Sequence, residues 1–405
     1  MTFLRERMSS AATTPRAAAK VCVVGPSTRF LSGISYYTYD LARALATPFT
    51  VCALLMRRLL PTALYPGSDR VGKPLTDIEM PADVETFNGV DWYWGHSMWR
   101  ALRFLKRERP DVLVFQWWTA TVLHSYLLLA LVARLRKARL VIEFHEVLDT
   151  GEQRLRIPYL YARLLAPRLF AMASEFVVHS EADRDLVVQL FRISRDVVTV
   201  VPHAVYDIRK DASPVRNAPE TVCNLLYFGV IRQYKGLDVL VRAFSALPPE
   251  TAERFWLTVV GEIWEGCVEP QDLIAESPYR QRITYIERYV DDEELAAVLG
   301  GADVVVLPYR RASQSGALHL AMGCGLPVVT TAVGGLIEAT RDYGGAVLVE
   351  PDNVADLTAG ILRAAKLNGR RYAAPSDWAD TADAYREIVS RVTRARNTKT
   401  FGTIR

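Results

Sequence analysis

Tyr227-Phe-Gly-Val-Ile-Arg232-Gln-Tyr-Lys235-Gly236 is an apolar strand running straight into a turn that carries two cations. The strand covers about 224–228 and ends at Gly229. Arg232 and Lys235 follow three residues apart, just where a helix begins at Leu237. Two positive charges at the carboxyl end of a strand, beside a helix N-terminus, suit a ligand bearing two phosphates. The helix amides and dipole favour anions there, and an arginine can fork onto two oxygens. A solvated turn is the bland alternative, since most surface Arg and Lys do nothing specific, and the rest of the chain has to decide.

Working outward, strand-like runs alternate with helix-length segments twice over. After 224–228 come apolar runs at 256–260, 283–286, 304–307, 328–331 and 346–349, with helical patterns at 237–246, 292–299 and 315–322 between them. The first half repeats the scheme with runs at 20–24, 50–54, 112–116, 140–144, 176–179 and 197–201, and helical patterns at 37–45, 97–106 and 159–173. The strands are continuous Val/Ile/Leu/Phe runs rather than alternating ones, as expected when helices cover both faces of a parallel sheet. Two such series predict two doubly wound α/β domains facing each other, with ligands at the carboxyl ends of their strands and hence in the cleft between them.

The expected organisation is a disordered leader over 1–19, a first Rossmann-like domain over 20–210, a second over 211–375, a C-terminal helix over 376–392 and a disordered tail over 393–405. A largely polar stretch, Asp207 to Glu220, with two prolines, marks the joint. Pro375-Ser376-Asp377 is a serviceable N-cap for the last helix.

At 405 residues the chain exceeds one ordinary core, and with 50% hydrophobic and 23% charged residues it has a globular composition. The net charge of +4 is unevenly placed: residues 1–200 hold 26 Lys/Arg against 19 Asp/Glu. The apolar stretch from Thr119 to Val132 is too short for a bilayer span, which needs about 20 residues. It is followed by Arg134, Arg136, Lys137 and Arg139. That reads as a buried helix with a charged end, or as a peripheral contact with an anionic membrane. The cysteines Cys22, Cys52, Cys223, Cys267 and Cys324 are odd in number and include no CxxC, the pattern of reduced thiols in a cytoplasmic protein, at the inner membrane face if that contact is made.

Candidate site residues fall just after strands. The run ending at Val24 leads into Gly25 and on to Gly33-Ile-Ser, a glycine-bearing loop that opens a helix and lets main-chain amides approach a phosphate. It is not GxGxxG, so a dinucleotide redox cofactor is not supported. His145 sits among Glu143, Glu146, Asp149 and Glu152, and a neutral imidazole there can bond a sugar hydroxyl or a reacting group. His179 precedes a capping box, Ser180-Glu-Ala-Asp183, and His203 lies just before the joint as a hinge residue. In the second half, Ser313, Gln314, Ser315, Gly316 and Ala317 lead into a helix whose first amides are open to a phosphate. With Arg232 and Lys235 they form one anion site fed from two strand ends. Trp117 and Trp118, just past the third strand, either stack on an acceptor sugar or pack between helices.

The order Gly229-x-x-Arg232-x-x-Lys235-Gly236, Ala302-Asp303, Pro308, Ala321-Met322-Gly-Cys-Gly325-Leu-Pro327 and Gly334-Gly335-x-x-Glu338 resembles family 4 of the retaining glycosyltransferases, which are GT-B enzymes. The likeness is dense over 222–355 and looser in the first half, at Gly33-Ile34, Pro110-Asp111, Phe144-His145, His179-Ser180 and Pro202-His203. It implies transfer of a sugar from a UDP- or GDP-sugar to a hydroxyl on a glycan, lipid-linked or small-molecule acceptor, with anomeric configuration retained. Arg232 and Lys235 would neutralise the departing diphosphate, His145 would lie near the donor sugar, and Gly33 would approach the phosphates. No metal, cofactor or nucleic-acid partner is implied. Asp183-Arg-Asp185 forms a DxD triplet but belongs to the first turn of a helix. The family usually carries two glutamates where this chain has Ala312 and Leu320, so Ser313, Gln314 or Ser315 would have to take over the sugar contact. That departure keeps two other functions in view, a non-catalytic nucleotide-sugar-binding protein and a GT-B nucleotide-sugar epimerase.

Overall fold

A computed structural model describes residues 19–30, 32–59, 71–73, 75–147, 156–206, 212–264 and 266–398. Asp149 and Glu152, most of the expected leader and the end of the expected tail lie outside the described residues.

The strands β1 (Lys20–Pro26), β2 (Thr50–Arg58), β3 (Glu85–Asp91), β4 (Val112–Trp117), β5 (Arg139–Phe144), β6 (Glu175–Val178) and β7 (Val198–Val200) form a seven-stranded sheet in the order β3-β2-β1-β4-β5-β6-β7. A six-stranded sheet follows, built from β8 (Cys223–Phe228), β9 (Phe255–Val260), β10 (Ile283–Ile286), β11 (Val304–Leu307), β12 (Val328–Thr331) and β13 (Ala346–Val349) in the order β10-β9-β8-β11-β12-β13. Every pairing is parallel, with β1 between β2 and β4 and β8 between β9 and β11. Strand order reverses at β1/β4 and at β8/β11, and those two switch points are where open α/β sheets leave a crevice. The sequence reading missed β3, whose Glu-Thr-Phe-Asn-Gly-Val-Asp has little apolar periodicity; as an edge strand it buries only Gly89 and Val90, and its register on β2 shifts twice.

The helices of the first half are α1 (Gly33–Ala46), α2 (Gly95–Glu108), α3 (Leu123–Leu135), α4 (Arg156–Phe170) and α5 (Glu181–Phe191). Those of the second are α6 (Leu237–Ser245), α7 (Pro249–Ala252), α8 (Glu269–Glu276), α9 (Asp292–Gly300), α10 (Gly316–Gly323), α11 (Gly335–Thr340), α12 (Val354–Ala365) and finally α13 (Trp378–Thr398). Met98, Phe104, Tyr126, Leu169 and Val187 from α2 to α5 pack on one face of the first sheet. The other face takes α1 and α13.

α13 therefore returns to the first sheet. Tyr385, Ile388, Val389 and Val392 fall at i, i+3, i+4 and i+7, and all four are buried beside Leu41 and Leu45 of α1. Each such side chain contributes roughly 1.5–3 kcal/mol on burial, which offsets the ordering of the helix. Asp377 caps it, accepting from the amides of Ala379 and Asp380 at 2.8 and 3.0 Å. The helix runs on to Thr398, past the expected end at 392. Past the last core contact, residues of fair helix propensity simply extend the established turns.

Candidate active site in the interdomain cleft

Two glycines shape the turn after β8. Gly229 has φ 112° and Gly236 φ 68°, and a Cβ on Gly236 would lie 2.0 Å from the Pro308 carbonyl oxygen at the end of β11. Glycine at 236 lets the two strand ends close up, which brings the Lys235 turn beside the loop that opens α10. A cavity of about 680 Å³ lies against both, lined by Gly229, Lys235, Gly316 and Ala317 from the second domain and by Gly33 and Tyr36 from the first. Its size is that of a small-molecule site.

Lys235 is half-buried and forms no ion pair among the described residues. Burial pushes its ammonium down from the ordinary lysine range, and the nearby Arg232 charge pushes the same way. Arg232 stands behind it with its guanidinium 4.9 Å from the ring of Trp264, which itself lines the cavity. Two cations so close, one of them desolvated, make a place where an anion is favoured.

The side chains of the α10 loop already have protein partners. The Ser315 hydroxyl caps the helix, accepting from the Leu318 amide at 3.2 Å. The Gln314 carbonyl oxygen accepts from His319 Nε2 at 3.0 Å, and the Ser313 hydroxyl bonds Asp183 of the first domain. Those three side chains, expected to meet the sugar, thus hold protein hydrogen bonds, and the cavity is lined from this loop by Gly316 and Ala317 at the helix N-terminus. Leu320 also lines the cavity, an apolar wall where a glutamate is usual, whereas Ala312 packs its carbonyl close to Gly334.

His145 was expected near the donor sugar. It is buried, it is not among the residues that line the cavity, and it belongs to a network at the carboxyl ends of β4 to β7. The buried Glu143 carboxylate accepts from Tyr37 and from the Gln116 amide, each at 2.7 Å. His145 Nε2 donates to Gln116 Oε1, and His179 Nδ1 donates to the Val201 carbonyl at 2.9 Å. Both outer nitrogens thus carry protons, so the 3.3 Å contact between His145 Nδ1 and His179 Nε2 is a hydrogen bond only when the pair holds one further proton. Burial holds His145 well below the usual imidazole range. His179 Nε2 also lies 4.0 Å from a Glu143 carboxylate oxygen.

His203, taken from the sequence as a hinge residue, extends this network across the domain boundary. Its ring stacks on His319 of α10 at 4.1 Å and 12°, and both imidazoles are held neutral by burial, His319 at about 3. Tyr206 lies against His203 and donates to the Gly33 carbonyl at 3.1 Å. The margins of the cleft are tied as well. Tyr36 and Thr76 donate to Asp292 at the start of α9. The Glu338 carboxylate of α11 accepts the Glu181 and Ala182 amides of α5 at 2.8 and 3.0 Å, so a residue of one domain caps a helix of the other.

Further lining residues escaped the sequence reading. Glu262 and Trp264 follow β9, and Arg288 and Tyr289 follow β10. The strand-end rule applied to every strand would have found these four. Tyr206, which also lines the cavity, and His319, which stacks on His203, carried no such signal, because one lies at the polar joint and the other inside a helix. Asp183-Arg-Asp185 does open a helix: the Ser180 hydroxyl accepts from the Asp183 amide at 3.0 Å. Trp117 is buried against Phe144 and Phe170, a packing role.

Two doubly wound domains with a cavity at facing switch points define the GT-B architecture. Solved structures share it over nearly the whole chain. Sucrose-phosphate synthase from Thermosynechococcus elongatus superposes with a TM-score of 0.61 at 18% identity, covering 94% of this chain and 99% of that one. Anabaena HepE, solved in complex with UDP and glucose, gives 0.60 at 15% identity, covering 92% and 100%. Residues 223–366 match the family described as glycosyl transferases group 1, and residues 32–204 match the glycosyl transferase 4-like domain. By fold and by both of its domains, the chain belongs with the GT-B glycosyltransferases. Among curated relatives, D-inositol 3-phosphate glycosyltransferase of Stackebrandtia nassauensis is 32% identical over 251 residues, which is 55% of this chain and 56% of the relative. The enzyme of the same name from Actinosynnema mirum is 27% identical over 308 residues, 72% of this chain and 67% of the relative. The chain thus matches little more than half the length of the first of these.

Proposed function

We propose that the chain transfers a sugar from a nucleotide-sugar donor to a hydroxyl acceptor with retention of anomeric configuration. The observation that carries this reading is the half-buried Lys235, desolvated beside Arg232 and facing the same cavity as Gly316 and Ala317. When the bond from the sugar C1 to the diphosphate breaks, its electron pair goes to a phosphate oxygen. The growing charge is stabilised by the two cations and by the α10 N-terminus. Retention requires the acceptor oxygen to bond C1 from the face that the diphosphate leaves, its proton passing to the departing phosphate oxygen, so donor and acceptor meet inside one cleft. Tyr36 and Gly33 supply the acceptor-side wall.

In this reading the two fixed cations take the part a divalent metal plays elsewhere, and transfer proceeds without one. His145 acts as a positioning residue, holding Gln116 and Glu143 at the strand ends behind the wall. A reducing, cytoplasmic setting agrees with five free cysteines, of which Cys22 and Cys52 are buried. UDP-sugars are the first donors to test, because HepE shares the fold and was solved with UDP and glucose. A second reading, donor binding without transfer, is favoured by one observation, Leu320 on the cavity wall.

The test is a panel of UDP- and GDP-sugars in a melting assay, followed by assays for donor hydrolysis and transfer with and without EDTA. The expected outcome is a raised melting temperature with one donor class and metal-independent turnover of that donor. Stabilisation without any turnover, whatever acceptor is supplied, would favour the binding reading. No stabilisation by any nucleotide sugar would end both.

A further inference from the structure

Three helices, α2, α3 and α4, cover one face of the first sheet, and their outer side is unusual in two respects at once. The first is exposed apolar surface. Tyr93 and Trp94 ahead of α2 are 59% and 36% exposed, and Trp99 within it is 51% exposed. On α3, Leu131 and Leu135 stand one turn apart at 49% and 76% exposure, and on α4 Leu160 and Leu164 do the same at 55% and 54%. The inward sides of these helices are already satisfied in the core.

The second respect is charge. Arg100, Arg103, Lys106 and Arg107 project from α2, Arg134, Arg136 and Lys137 close α3, and Arg163 and Arg168 lie on α4, all of them exposed. The three helices carry one carboxylate between them, Glu108, and that one is paired with Lys20 at 2.6 Å and with Arg107. Trp99 stands between the His96 ring at 5.3 Å and the Arg103 guanidinium at 4.5 Å, so aromatic and cationic groups interleave rather than segregate.

We infer that this face docks on the surface of an anionic lipid bilayer. Exposed Trp and Tyr with leucines suit the boundary between headgroups and acyl chains, and Lys and Arg around them suit anionic headgroups. A second copy of the chain would set cations against cations. A protein partner's interface core would be depleted of lysine and would need complementary carboxylates across the whole face. Among the described residues no helix is long and apolar enough to cross a membrane, so the contact is peripheral. Tyr93 and Trp94 follow the carboxyl end of β3, and Leu160 lies early in α4, which follows the carboxyl end of β5. The patch therefore reaches the edge of the sheet that carries the cleft. This inference stands apart from the sugar-transfer reading, and its test does not use activity.

The experiment is flotation of the full chain with vesicles of phosphatidylcholine alone and of phosphatidylcholine mixed equally with phosphatidylglycerol. The expected result is flotation with the anionic vesicles, little with the neutral ones, and loss in high salt. Each cation near such a surface is worth about a factor of five, so a variant with Arg103→Glu, Lys137→Glu and Arg163→Glu should lose at least about 100-fold in partitioning. Trp99→Ala should weaken binding further and remove a fluorescence blue shift seen on adding anionic vesicles. A control with Arg254→Glu, Arg341→Glu and Arg370→Glu, exposed cations of the second domain, should float like the wild type. Melting temperatures of all variants establish that they fold. The inference is overturned if the wild type stays with the pellet, if neutral and anionic vesicles bind it equally, or if the control variant loses as much as the patch variant. Patch-dependent dimers without vesicle binding would overturn it equally.

Discussion

The two sheets of this molecule are wound the same way and place opposite chemistry at their switch points. At β8/β11 the second sheet sets Lys235, half-buried and poorly solvated, and open helix amides against the cavity, with Arg232 behind the lysine. At β1/β4 the first sheet sets a glycine-opened helix against the cavity, and the histidines at its remaining strand ends are buried behind it around Glu143. One domain keeps its charge available at a cost in stability. The other ties its buried polar groups to one another by hydrogen bonds. The asymmetry suits a cleft in which one wall meets a changing charge and the other holds still.

The largest expected effect tests the cationic wall. Arg232→Ala and Lys235→Ala should each lower turnover of the preferred nucleotide sugar about 100- to 1000-fold, the size seen when one donor to a developing anion is removed. Lys235→Ala should also leave the melting temperature without ligand unchanged or slightly higher, because its ammonium is desolvated in the empty cleft. Full turnover in both variants would remove the role assigned to that wall.

Acid tests the other side of the comparison. His145, His203 and His319 are all held below the unfolded imidazole value by burial, His319 at about 3. A depressed folded value means that stability is complete above the unfolded value, near pH 6.5, and is lost as pH falls through it toward the folded one. At pH 5 each such group costs about 2 kcal/mol relative to neutral pH. Amide exchange should therefore speed up first around β5 to β7 and at the His203–His319 contact, while β8 to β10, which carry none of these rings, stay protected. Uniform loss over both sheets would show that the histidines are not what separates them.

The smallest effect concerns the tie between the walls. Glu338→Ala removes the carboxylate that caps α5 from across the boundary, worth about 1 kcal/mol as an N-cap. The expected outcome is a small fall in melting temperature together with a larger radius of gyration by X-ray scattering. An unchanged radius would mean that the Asp292 and His319 contacts suffice to hold the cleft.

How much of this could be read along the chain depends on the element. β4 reads Val-Leu-Val-Phe-Gln-Trp and is buried throughout, so its run of apolar residues announced it. β3 is an edge strand whose pairing, rather than its composition, makes it a strand, and it was missed. Lys235 and Gly316 were visible because a ligand site in this architecture must follow a strand, and strand ends can be counted. The protein partners of Ser315 and Gln314 were not legible, because a hydroxyl or amide in a loop looks the same whether it awaits a ligand or caps a helix. His145 stood out for its acidic neighbours in sequence, but its partners are Gln116 from β4 and His179 from beyond β6.

Local pattern was enough for the alternating architecture, the duplicate winding and the placing of cations at a strand end, since each follows from the periodicity and punctuation of a short window. Tertiary structure alone decided which polar groups remain available. A side chain's hydrogen-bond capacity is finite, and whether a neighbour far away in sequence consumes it is settled only when the two meet. The same holds for the exposed face of α2, α3 and α4, whose tryptophan, leucines and arginines are scattered along the chain and become one surface only when the helices lie side by side.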